Sequence, residues 1–138
     1  KIKITPFLVP HRDEYSETVG FNISGPNKSV LFIPDIDKWD LWKKDIVAEI
    51  ERNDHLFLDA TFFDGTELPG RDMNQIPHPF VVESMQLFAN LSIEEKQKIH
   101  FIHFNHTNPL HQPGSNASKT LINAGLRVAK QGQIFNLY

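Results

Sequence analysis

Residues 29–37 of the chain read SVLFIPDID, and this stretch is the best guide to the fold. It is rich in β-prone residues, and apolar side chains stand on both alternations from Val30 to Ile33. This pattern is typical of a strand that is buried on both faces of a sheet. A proline ends the run and Asp35 follows at once, which predicts a carboxylate at the edge of the sheet.

Four other stretches share this β-prone character, and we expect them to form strands. In chain order they are IKITPFLV, TVGFNIS, HLFLDATFF and IHFIHF. TVGFNIS and SVLFIP are joined by the turn signal GPNK, so we predict a hairpin there. The closing residues VAKQGQIFNLY predict a tight turn and a last strand.

The intervening segments predict helices. Apolar residues recur at intervals of three and four over 39–50, which indicates one helix with Asp37 as its N-cap. Other helices are expected over 81–88, just after Ser92, and over 117–124. Strands that come first and then alternate with helices argue for a layered α/β (α+β) domain.

The composition indicates a soluble globular protein. The 138 residues are 40% hydrophobic and 22% charged, with a net charge of -3 and no basic run, so neither nucleic acid nor a membrane is expected as a partner. The chain has no cysteine, so any metal must be held by histidine, carboxylate or water. A cysteine-free chain suits the cytoplasm, which we favour, and also the periplasm.

Several titratable residues fall where layered α/β folds place their sites, at strand ends and in the loops after them. His11, Asp35 and His103 each follow or end a predicted strand. His78 closes a long loop rich in glycine and proline, and His106 lies in the loop after the last of these strands. Imidazole and carboxylate groups are ligands for zinc, iron and manganese. Their spacing is no local metal motif, so only the fold can bring them together.

Beyond these positions, the sequence resembles the metallo-β-lactamase superfamily. The resemblance runs through the stretches VPHRDEYSETVGFNI, SVLFIPDID, DHLFLDATFFDGTE, IPHPFV and HFIHFNHTNP. It is closest to the pyrroloquinoline quinone biosynthesis B-type branch. It implies the C-terminal half of an αββα sandwich, with a mixed sheet and helices on one face.

The resemblance also assigns roles to individual residues. His11 matches a ligand of a first metal ion, and His103 matches a ligand of a second ion. Asp35 matches the aspartate that bridges the two ions. His78 and His106 are then the side chains expected to donate to charge that develops on the substrate.

Two further carboxylates have two interpretations each. The resemblance implies that Asp59 and Asp64 hold histidine rings in orientation. The alternative is a buried hydrogen-bonded carboxylate at Asp59 and a turn cap at Asp64. The cofactor is expected to be one or two divalent metal ions, zinc first, with iron or manganese as alternatives.

The departures from the family pattern matter as much as the matches. The superfamily signature His-x-His-x-Asp-His is absent from the 138 residues. We therefore expect residues 1–138 to be the C-terminal part of a metallo-β-lactamase domain, whose sheet pairs with the N-terminal half or self-associates. Pro34 replaces a common glycine, and His106 stands where an asparagine is expected, so the site is altered.

Two functions of different classes follow. The first is a metal-dependent hydrolase, in which a metal-activated water attacks a phosphodiester or ester of a small-molecule substrate. With iron, the same site would instead perform oxidative chemistry of the quinone-biosynthesis type. The second is a binding or accessory protein with a degenerate metal site. Because His11, Asp35 and His103 are all present, we favour the enzyme.

Overall fold

Six strands form one mixed sheet in the computed structural model, which describes residues 1–138. The strands are β1 Lys3–Leu8, β2 Val19–Ser24, β3 Ser29–Ile33, β4 His55–Asp59, β5 Ile99–Ile102 and β6 Arg127–Val128, in that order across the sheet. β1, β2 and β3 pair antiparallel, whereas β3, β4, β5 and β6 pair parallel. The predicted mixed sheet and its β2–β3 hairpin are therefore confirmed.

Four α-helices and three 3₁₀ turns connect the strands. They are α1 Ile46–Arg52, α2 Val81–Leu87, α3 Ile93–Gln97 and α4 Asn116–Asn123, with 3₁₀ turns at Trp39–Leu41, Met73–Gln75 and Pro109–His111. The Ser92 hydroxyl caps α3 by accepting the Glu95 N–H, and Gly125 follows α4 with a φ of 82°. None of these helices has the length and apolar character that a membrane crossing requires.

The prediction of one helix over 39–50 is wrong. The segment divides into the first 3₁₀ turn and α1, because Trp42 between them has an extended backbone with a ψ of 136°. Asp45 is the N-cap of α1 in place of Asp37, and its carboxylate accepts the Val47 N–H at 2.9 Å. The helical spacing misled because both tryptophans of the segment are buried in either conformation.

The apolar core lies on the helical side of the sheet. Six side chains of one alternation are fully buried there: Leu31, Ile33, Leu56, Leu58, Ile99 and Phe101. They form one cluster with helix residues that include Ile50, Val81, Phe88 and Leu121. Burial of a large aliphatic or aromatic side chain contributes about 1.5–3 kcal/mol, so this layer is the main source of stability.

The other face of the sheet is more open. Phe21, Phe32 and Phe57 are only half-buried there, and Ile4 and Leu8 are 61% and 65% exposed. These side chains occupy the alternation opposite to the core, as the strand register shows. We call this surface the open sheet face.

The C-terminal segment lies across part of the open sheet face, which corrects the predicted last strand. β6 comes before the turn at Gly132 and no strand follows it. Instead, Phe135 packs edge-on against the rings of Phe57 and His100, at centroid distances of 5.1 and 4.9 Å. The Leu137 carbonyl accepts the Asn27 N–H at 3.2 Å, so the segment reaches the β2–β3 turn.

Candidate metal centre

The candidate residues meet at one edge of the sheet because of the strand directions. β3, β4 and β5 are parallel neighbours, so their carboxyl ends lie side by side. Asp35 follows β3, Asp59 ends β4 and His103 follows β5. β1 runs in the same direction as β3, since both pair antiparallel with β2, and this places His11 at the same edge. Such edges hold the sites of open α/β sheets.

A first group consists of His11, Asp35 and His78. His11 Nε2 lies 2.9 Å from Asp35 Oδ1, and His78 Nδ1 lies 3.4 Å from the same oxygen. His11 Nε2 and Asp35 Oδ1 are both buried, yet neither makes a hydrogen bond, because the two atoms are not aligned for one. Two buried polar atoms that approach closely without bonding are typical of ligands that point at a shared cation.

A second group consists of Asp35, Asp59 and His103. Asp35 therefore belongs to both groups, as expected of a residue that bridges two ions. The Asp59 carboxylate, 3.9 Å from His103 Nδ1, raises the pKa of His103, and partial burial opposes this effect. His103 has a φ of 65°, a conformation that is uncommon outside glycine and that ends β5 at the preceding residue.

Asp59 is the centre of a buried hydrogen-bond network. Its Oδ2 accepts from the Ile36 N–H at 3.1 Å and from His78 Nδ1 at 2.8 Å. Its Oδ1 accepts from the N–H and the hydroxyl of Thr61, at 2.8 and 2.6 Å. Complete burial alone would raise the pKa of Asp59, but the hydrogen bonds from His103, His78 and Thr61 lower it. Asp59 is thus an ionised carboxylate that fixes the His78 ring.

Thr61 is a part of this network that the sequence reasoning missed. Its hydroxyl oxygen lies 3.2 Å from His78 Nδ1 and 3.1 Å from His103 Nδ1, so it links the two histidines. A threonine two residues after an aspartate often bonds back to that carboxylate. That spacing in DAT (residues 59–61) was the signal that could have identified it.

The loop before α2 positions His78. Phe62, Met73 and Phe80 form a separate small apolar cluster that anchors both ends and the middle of this loop. Arg12 donates a hydrogen bond to the Gln75 carbonyl at 2.8 Å, which ties the loop to the segment that carries His11. The predicted loop is therefore present, and it has its own packing.

Two predicted site residues are not brought to this cluster. Asp64 Oδ1 accepts from the N–H and hydroxyl of Thr66, at 2.8 and 2.6 Å, so Asp64 is the turn cap of the alternative interpretation and orients no histidine ring. His106 is exposed and belongs to neither group. Because its side chain has no hydrogen bond or ion pair, the structure gives no support to its predicted role.

Comparison with known proteins adds independent findings. Residues 1–104 match the family described as Beta-lactamase superfamily domain. No curated protein sequence matches the chain. Zinc-bound PqqB from Methylobacterium extorquens is similar in structure, with a TM-score of 0.75 and 23% sequence identity over 99% of this chain and 50% of that one. The chain thus spans half the length of that structural neighbour and shares its fold. Because the family match covers most of the sequence, the chain belongs to the beta-lactamase superfamily.

Proposed function

We propose that the protein is a metal-dependent hydrolase that uses a metal-activated water. One observation carries the proposal: His11 Nε2 and Asp35 Oδ1 are buried 2.9 Å apart with no hydrogen-bond partner. A buried polar atom without a partner costs about 1–3 kcal/mol. A divalent cation between the two atoms would remove that cost for both, so the residues fit a metal.

The donor set indicates how ions would be held. His11 and Asp35 would hold a first ion, with His78 as a further candidate ligand. Asp35 and His103 would hold a second ion, beside Asp59. Nitrogen and carboxylate donors suit zinc first, and also iron or manganese. An ion bound there lowers the pKa of a water molecule toward neutrality and polarises a substrate oxygen.

His78 is the residue best placed to move a proton. Its Nδ1 donates to Asp59 Oδ2 at 2.8 Å, so the ring is held and the tautomer is fixed. Nε2 then accepts a proton when the ring is neutral and donates one when it is cationic. A histidine held in this way can act as a general acid or base toward a substrate oxygen. Thr61 supports the same ring from its other side.

Cobalt and zinc binding test the proposal. We expect Asp35→Asn to weaken binding of Co²⁺ at least about tenfold, because one shared carboxylate would be lost from both positions. The absorption bands of bound Co²⁺ report the ligands directly. Asp37→Asn is the matched control, since Asp37 lies two residues away and its carboxylate accepts a backbone N–H outside the cluster.

Hydrolysis of bis(p-nitrophenyl) phosphate and p-nitrophenyl acetate at millimolar zinc then distinguishes the functions. The hydrolase proposal predicts turnover that a chelator abolishes and that Asp35→Asn reduces. Metal binding without turnover would favour a binding or accessory protein, and activity with iron alone would favour oxidative chemistry. A Co²⁺ spectrum that is identical in the native chain and in Asp35→Asn would refute the site itself.

A further inference from the structure

A second concave site lies at the β6 edge of the sheet, apart from the metal centre. It is a groove of about 900 Å³ between α3, the Pro109–His111 turn, α4 and β6. Apolar side chains form its floor, among them Phe104, Leu110, Leu121 and Val128. No residue of either metal-ligand group lines it. We call this site the β6 groove.

The charges of the β6 groove all have one sign. Arg127 and Lys130 line it, and no aspartate or glutamate does, although the whole chain has 17 acidic against 14 basic residues. Neither cation takes part in an ion pair. After burial, the charge of Arg127 is the next cause that lowers the pKa of His100 to about 4, so that charge acts on its neighbours without local neutralisation. Unpaired cations beside apolar walls attract an anion.

The size and the lining together select the kind of ligand. Small-molecule sites measure roughly 300–1,000 Å³ and are mostly apolar with a few polar groups that fix orientation. The β6 groove fits this description. Ile93 and Ile122 line it as well and are 50% and 62% exposed, so the apolar surface continues to solvent. A wholly polar anion would leave these walls unused.

We propose that the β6 groove binds an amphipathic organic anion, a molecule with an apolar body and one carboxylate. The apolar body would pack on Leu121 and Val128, and the carboxylate would meet Arg127 and Lys130. Guanidinium and ammonium groups form strong charge-assisted hydrogen bonds with carboxylates. This binding requires no metal, so it stands apart from the hydrolase proposal.

Decanoate is a suitable probe, and isothermal titration calorimetry of the 138-residue chain measures its binding. We expect saturable binding of one equivalent. Octanoate should bind roughly tenfold more weakly, since each buried methylene contributes about 0.8 kcal/mol. Decyltrimethylammonium has the same apolar chain with the opposite charge, and acetate has the charge without the chain. Both should fail to saturate the site.

Variants locate the binding. Arg127→Gln with Lys130→Gln should weaken decanoate about tenfold or more. Lys3→Gln with Lys43→Gln is the matched control, because both lysines are exposed, lie outside the groove and change the net charge equally. The control should bind decanoate like the native chain. Amide chemical-shift changes should cluster at α4 and β6.

Three results would overturn the proposal. Equal binding of decanoate and decyltrimethylammonium would show that charge has no part. Chemical-shift changes centred on Phe21 and Phe57 would assign decanoate to the open sheet face. Self-association that Arg127→Gln with Lys130→Gln abolishes would make the groove a contact between copies of the chain, in place of a small-molecule site.

Discussion

The most quantitative prediction concerns His100 on the open sheet face. His100 is 3% exposed, and its ring stacks on Phe57 at 5.3 Å and meets Phe135 edge-on at 4.9 Å. Its Nδ1 is buried without a hydrogen-bond partner. Burial, assisted by the charges of Arg127 and His55, lowers the pKa of His100 from 6.5 to about 4. The folded protein therefore keeps this ring neutral in weak acid.

This pKa makes the free energy of unfolding depend on pH. As the pH falls from 6.5 toward 4, the unfolded chain binds a proton at His100 that the folded chain does not bind. The folded pKa is depressed, so the stability is fully present above the unfolded pKa and decreases as the pH falls. The decrease is about 1.4 kcal/mol per pH unit, or about 2 kcal/mol at about pH 5.

His100→Phe removes the titration and keeps an aromatic ring in the cluster. At about pH 8 we expect a gain of about 1 kcal/mol, because the buried unpartnered nitrogen is lost. At about pH 5 we expect a gain of about 3 kcal/mol, since the protonation penalty is removed as well. Urea unfolding followed by the fluorescence of the buried Trp39 and Trp42 measures both values. The same substitution at the exposed His106 is the control. Equal gains from His100→Phe at the two pH values would refute the reasoning.

Three other predictions concern metal, network and assembly. The chain alone should bind zinc with a Kd weaker than about 1 μM, because ligation by His78 Nδ1 must break its hydrogen bond with Asp59; calorimetry that gives sub-micromolar binding would contradict this. Thr61→Val should destabilise the fold by about 1–3 kcal/mol, since it leaves Asp59 Oδ1 with one donor fewer, and Thr66→Val, on the exposed turn, should cost less in the same urea assay. The open sheet face should cause self-association at high concentration, which sedimentation equilibrium detects; a monodisperse 15.9 kDa monomer would show that this face needs no partner.

Strand positions and strand parity could be predicted from the sequence because they depend on local alternation. The core alternation, which contains Leu31 and Leu58, is fully buried, as the two-sided pattern indicated. The common edge of His11, Asp35 and His103 also follows from strand order, since the carboxyl ends of parallel neighbours must lie together. These features need only period and direction.

The parts that could not be predicted depend on distant partners. Asp59 is held by the Ile36 N–H, 23 residues earlier, and by His78, 19 residues later, and no local pattern reveals such contacts. The division of the helix at Asp45 reflects a cap that competes with a regular apolar spacing. Asp64 has the same residue type and a similar strand-end position as Asp59, yet it closes a turn with Thr66. Residue type alone does not separate these two carboxylates.

The C-terminal segment over the open sheet face has a consequence for the thermodynamics of assembly. Phe135 is tethered to the surface that it covers, so it competes with any incoming chain at a high effective concentration. The apparent affinity of a partner for this face is then its intrinsic affinity multiplied by the fraction of molecules whose tail is released. Gly25 sets that fraction, since a Cβ there would lie 2.4 Å from the Leu137 carbonyl oxygen. A side chain at position 25 would thus favour release of the tail and strengthen association without touching the partner.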